Sequence, residues 1–124
     1  MKLQVALEES FVSIGNMAGA SSENSNIVVL CDRGLMDGSA YVSTEEWNAL
    51  LNDLGDLTTV QIRDNRYDAI IHLVTAADGA PEFYQTMVDG QARYETPEQA
   101  VEKCQRIRTA YFGHHKYSLI ANVG

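Results

Sequence analysis

The chain has 124 residues, enough for one domain, and its 9 basic against 17 acidic side chains give a net charge of -8. With 45% hydrophobic and 21% charged residues it has the balance of a folded globular domain, which excludes a disordered tail. The acidic balance argues against nucleic-acid binding, and no apolar run nears the ~20 residues that a membrane span needs.

The first element predicted is a helix. Leu3, Leu7, Phe11, Ile14 and Ala18 step by 4, 4, 3 and 4 and draw one apolar stripe, the expected buried face. Met1-Lys2 leads into that polar-backed helix, which predicts no signal peptide. The small and polar residues of 19–26 then favour a loop. Ile27-Val28-Val29-Leu30-Cys31 is an unbroken apolar run and predicts a strand buried on both faces of a parallel sheet.

Beyond Asp32-Arg33-Gly34 the chain reads as a polar, glycine-containing stretch to Val42. Ser43 with Glu46 three residues on has capping-box spacing, and Trp47, Leu50, Leu51 and Leu54 supply the buried face of the helix that follows. Gly55 ends that helix. Residues 58–65 fit either a short helix or an alternating strand, and we assign a helix. Residues 69–74 form a second apolar strand, followed by a loop to Pro81. Thr96-Pro97-Glu98-Gln99 opens a helix expected to run to Tyr111, and residues 117–121 make a last short strand. Strands alternating with helices predict a mostly parallel α/β sheet.

In open α/β sheets ligands gather at the carboxyl ends of the strands, and each expected strand ends in polar residues. Asp32 directly follows the first. An acid there can organise Mg²⁺ or an acceptor proton in phosphoryl transfer, and Arg33 can bind a phosphate bidentately. A turn cap paired with Arg33 explains Asp32 equally well. Asp37 and Asp78 are acceptor-side candidates that also read as turn residues, and Asn122 ends the last strand. Arg93, Arg106 and Arg108 could close over a polyphosphate, or form a solvated face paired with Glu95, Glu98 and Glu102. His72 reads as a core histidine. Cys31 and Cys104, 73 positions apart, read as structural thiols of a reducing, cytoplasmic compartment. His114-His115 lacks a ligand set for a metal. Neither Gly-x-x-x-x-Gly-Lys-Ser/Thr nor Gly-x-Gly-x-x-Gly occurs in the chain.

Three blocks carry a resemblance. Ile-Val-Val-Leu-Cys-Asp-Arg-Gly-Leu-Met-Asp-Gly (27–38), Arg-Tyr-Asp-Ala-Ile-Ile-His-Leu-Val-Thr-Ala-Ala-Asp-Gly-Ala (66–80) and Ala-Arg-Tyr-Glu-Thr-Pro-Glu-Gln-Ala (92–100) resemble the AAA-type P-loop domain family shared by NadR and the TRPL translocation defect proteins. The resemblance implies a three-layer, nucleotide-kinase-like fold, of which residues 1–124 correspond to the C-terminal part, with a lid at about 80–112. It implies ATP or GTP with Mg²⁺ as ligand. Asp32 then corresponds to the acid closing the Walker B strand, with Arg33 as its partner. Arg93 belongs to the lid, Arg106 and Arg108 to the lid's returning helix, and Asn122 joins these two arginines in the phosphate-binding set, with Ala121 standing where an acidic residue is common before it. The family's P-loop strand lies between the strands at 27–31 and 69–74.

The expected function is nucleotide binding by a kinase-like NTPase domain that turns over no nucleotide alone. The alternative is a non-catalytic interaction or regulatory module, or a truncated gene product, completed by a partner chain or by self-association.

Overall fold

The computed structural model describes residues 1–20, 26–55, 57–84 and 95–122. Helix α1 spans Lys2–Ala20, α2 Thr44–Asp53, α3 Thr59–Asn65 and α4 Pro97–Ala110; strand β1 is Ile70–Leu73 and β2 is Tyr117–Ile120. Short 3₁₀ turns cover Leu35–Ala40 and Pro81–Phe83. The mixture of helices around a small parallel sheet fits the α/β, nucleotide-kinase-like class.

Side-chain oxygens start three of the helices where the sequence puts them. Ser43 accepts from the Glu46 N–H, Thr58 from Gln61 and Thr96 from Gln99, and each third residue reaches back to its cap. Each box satisfies two otherwise orphaned backbone N–H groups. The Thr58 box settles 59–65 as a helix. Helix α2 closes at Leu54, and Gly55 behind it takes φ +96°, the left-handed conformation that favours glycine.

β1 and β2 pair in parallel with Ile70 opposite Tyr117 and Leu73 opposite Ile120. Bonds from Ile70 N to Lys116 O (2.9 Å) and Val74 N to Ile120 O (3.0 Å) extend the ladder at both ends.

The first expected strand is not formed. Residues 27–31 run without strand hydrogen bonds, and Val28 and Leu30 are 77% and 89% exposed. The sheet among the described residues therefore has two strands, not three. A strand exists only through its ladder partner, and among the described residues none pairs with this run; Ile27 leans on α1 at Gly15, where an added Cβ would stand 3.0 Å from Ile27 Cγ2.

The stripe of α1 is also displaced. Leu3, Leu7, Phe11 and Ile14 face solvent, while Met1 and Val5 from the opposite side pack onto the core and Glu8 reaches Arg66.

The core lies where the sequence reads as polar. Leu35, Met36 and Ala40 of the 3₁₀ turn are buried with Trp47, Leu51, Ile62, Ile107 and Tyr111. Helix α4 makes its main packing against that turn.

Candidate functional site

Between residues 27–34 and β1 lies an open cleft of about 2440 Å³. Its floor and walls come from α1, β1 and the side chains of Cys104, Ile107 and Tyr111. Asp32, Arg33, Asp37 and Thr75 all line it. The cleft thus brings together the acid-arginine step and the carboxyl end of β1.

Asp32 is exposed, and among the described residues its carboxylate has neither a hydrogen-bond nor an ion-pair partner. It does not pair with Arg33. That guanidinium lies 3.5 Å from Asp37, one turn further on. Arg33 has φ +103°, the left-handed region that non-glycine residues rarely enter. Such a backbone costs about 1–3 kcal/mol and persists only where the surroundings hold it.

Two tyrosines hold it. The Tyr67 hydroxyl accepts the Leu35 N–H at 2.8 Å and donates to the Glu8 carboxylate, with oxygens 3.1 and 3.2 Å away. Glu8 is fixed in turn by Arg66 Nε at 2.6 Å. From the other side the Tyr111 hydroxyl comes near enough to Asp37 for that carboxylate to act on it. Its hydroxyl fills the space at Gly34, where an added Cβ would fall 2.0 Å from Oη. Gln4 of α1 donates to the Arg33 carbonyl at 3.3 Å. None of this is visible in local spacing, because Glu8, Tyr67 and Tyr111 meet residues 34–37 from far along the chain.

Burial pushes both tyrosine hydroxyls well above their ordinary value of 10.0, and the Glu8 and Asp37 carboxylates add to the rise. A raised folded value favours the neutral phenol in the native state. That stability is complete below pH 10.0 and is lost as pH climbs toward the folded values. Melting curves across the alkaline range are therefore expected to fall from about pH 10 upward. Tyr67→Phe should cost about 1–2 kcal/mol at neutral pH, because it strips the Leu35 N–H of its acceptor, and should make the alkaline decline shallower. An unchanged alkaline slope in that variant counts against Tyr67 as its source.

The remaining expected residues are dispersed. Arg93 lies outside the described residues. Arg106 and Arg108 are exposed on α4 and form no ion pair among the described residues; Glu95 pairs instead with Lys103. Arg108 acts on His72 and Tyr117. Asn122 spends its amide on structure, donating to the carbonyls of Thr75 (2.7 Å), Asp78 (2.7 Å) and Val74 (3.4 Å). It thereby ties the loop after β1 to the end of β2, with Asp78 exposed beside it. Cys31 is exposed at the cleft rather than buried in a strand. His72 is buried as expected, 8% exposed. His114 is a core linker, with Nε2 2.9 Å from the Tyr67 carbonyl.

No group of three or more metal-ligating side chains occurs among the described residues, and no described helix is long and apolar enough to cross a membrane. A family model described as an AAA domain matches residues 5–123. No curated protein and no solved structure matches the chain.

Proposed function

The chain belongs to the AAA domain family, and from that premise, an AAA-type P-loop NTPase-like domain, we propose that it binds ATP or GTP with Mg²⁺ as a nucleotide-kinase-like unit. Asp32 organises the metal or the acceptor, and Arg33 meets phosphate. The observation that carries this reading is the Asp32-Arg33 step itself. It combines a carboxylate that has no partner among the described residues with a strained backbone at the edge of the large cleft, and strain of this kind gathers at functional sites.

Nucleotide-bound Mg²⁺ asks little of a protein, taking one or two carboxylates and otherwise water and phosphate oxygens. Asp32 fits that demand, and the lack of a larger acidic cluster among the described residues suits an ion that arrives with its nucleotide. Bound there, the metal would neutralise phosphate charge. Asp37 and Asp78 stand on the acceptor side. Arg93, Arg106 and Arg108 serve as lid cations, and Asn122 closes the far end of the phosphate region. Without a Gly-x-x-x-x-Gly-Lys-Ser/Thr cradle in these residues, binding is weak and turnover is absent. A cytoplasmic setting suits two unpaired thiols.

A thermal melt with Mg²⁺-ATP and Mg²⁺-GTP tests this. Nucleotide at about ten times its Kd adds roughly 1.4 kcal/mol, or a few degrees at this size. Asp32→Ala should erase the rise. Arg33→Gly should relieve the left-handed strain and melt up to about 1 kcal/mol higher without ligand, yet respond less to nucleotide. A melt of the parent chain indifferent to both nucleotides overturns the proposal.

One set of observations favours the second reading, a non-catalytic module completed by a partner or a second copy. The α1 stripe, residues 27–31 and the outward face of β1 at Ile71 and Leu73 are all apolar and exposed. Under that reading the melt ignores nucleotide and rises with protein concentration.

A further inference from the structure

Helix α4 brings a thiol to a buried imidazole that nucleotide binding does not use. The alternation of β1 turns Ile71 and Leu73 outward and His72 inward. His72 Nε2 lies 3.2 Å from Cys104 Sγ, and both residues line the cleft. Nucleophile and base are therefore within hydrogen-bond reach, the arrangement that activates a cysteine.

The surroundings carry a second, independent sign. The Tyr117 ring packs at 6.0 Å from that of His72, and its hydroxyl is buried without a hydrogen-bond partner among the described residues. An orphaned donor costs free energy unless something accepts from it, and Cys104 is close enough to act on it. Arg108, from the next turn of α4, acts on both His72 and Tyr117, and Asp37 acts on His72 from the 3₁₀ turn.

We propose that Cys104 is a modification site, a His72-assisted thiol that exchanges with small disulfides entering the cleft. The Cys104 proton passes to His72 Nε2 as Sγ attacks one sulfur of the disulfide. The new S–S bond forms, the old one breaks, and the departing thiolate takes the proton back from the imidazolium. Thiol and disulfide thus become mixed disulfide and thiol, with no further oxidant. Tyr117 offers its hydrogen to the charge that develops on sulfur, and Arg108 favours that negative charge.

Burial, and then Arg108, lower the His72 value below its ordinary 6.5, with Asp37 opposing them. The imidazole is a free base at neutral pH and remains so into mild acid. Cys31 is the internal control. It is more exposed, but its thiol is pushed up by what burial it has and by the Glu8 carboxylate.

The test uses Cys31→Ser, which leaves Cys104, and Cys104→Ser, which leaves Cys31, each reacted with dithiodipyridine at pH 6.5, the ordinary histidine value. Cys104 should react at least about tenfold faster, a fraction of the roughly 10²–10⁴-fold that general-base assistance supplies, against the order that exposure alone gives. In the Cys31→Ser protein, His72→Gln should remove that advantage. With His72 intact, the rate should stay level from neutral pH downward until His72 protonates. An unassisted thiol instead loses about tenfold per pH unit as its thiolate fraction falls. Cys104 reacting more slowly than Cys31, His72→Gln reacting at the parental rate, or a tenfold-per-unit decline each overturns the proposal. The pH profile decides the question if His72→Gln fails to fold.

Discussion

Trp47→Ala is expected to lower stability by about 4 kcal/mol, the largest single loss in the molecule. Trp47 is 5% exposed and sits where α2, α3 and the 3₁₀ turn converge. Its ring approaches Gly38 so closely that an added Cβ would stand 3.3 Å from Cζ3, and its Nε1 donates to Thr59 Oγ1 at 3.1 Å. Removing the ring opens a void between α2, α3 and the 3₁₀ turn, and the cost of that cavity adds to the lost burial. Trp47→Phe separates the contributions. It keeps most of the buried surface and deletes only the bond to Thr59, whose half-exposed hydroxyl can turn to water, so about 1 kcal/mol is expected. Far-UV circular dichroism is the measurement, because this is the only tryptophan and its fluorescence leaves with it. Equal losses in the two variants would mean that the hydrogen bond, not the packing, carries the site.

The position of that core marks how far local pattern reaches. The elements legible in the sequence are those whose cause is local. The Ser43 and Thr96 caps, the left-handed Gly55 and the two runs that became β1 and β2 all declare themselves within a few residues. Residues 27–31 mislead because an apolar run reports only that burial is favourable. Whether a ladder partner stands beside it is a long-range fact. The 3₁₀ turn misleads in the opposite sense. Leu35, Met36 and Ala40 make no repeating period of 2 or 3.6, so no amphipathic signal appears, yet Ile107 and Tyr111 arrive with α4 from far along the chain and bury them. The site divides in the same way. Asp32 and Arg33 stand out through sequence order, and the cleft gathers them with Asp37. Glu8, Tyr67 and Tyr111, which hold that turn in place, carry no local mark. Neither does the Cys104–His72 contact, whose members are 32 positions apart.

Gly34→Ala is expected to cost about 3 kcal/mol and to lower the melting midpoint by roughly 10 °C. The backbone is not the reason, since Gly34 has φ -105° and ψ 163°, an extended conformation open to any residue. Alanine there would by itself favour folding by about 0.4–1 kcal/mol through the unfolded chain. The contact outweighs that gain. The new methyl would stand 2.0 Å from Tyr111 Oη, with Tyr111 Cζ at 3.2 Å and Tyr67 Cε2 at 3.4 Å behind it. Tyr111 cannot withdraw, being 3% exposed and the closing residue of α4. The obstructing atom is a single oxygen, which makes a double-mutant cycle decisive. Tyr111→Phe alone should destabilise by about 1 kcal/mol through loss of the buried hydroxyl's polar interactions, Asp37 among them. In the Gly34→Ala background the same change should stabilise, because it removes the atom that the methyl meets. Trp47 fluorescence follows all four melts. Additive losses would mean that residues 34–37 yield as a unit instead of being clamped between two tyrosines. Asp32 and Arg33 would then sit on a compliant loop, and the left-handed Arg33 would have nothing holding its strain. A change of sign would instead mean that the acid-arginine step is held in advance of any ligand, which is what the role proposed for Arg33 needs if binding is not to pay for ordering it.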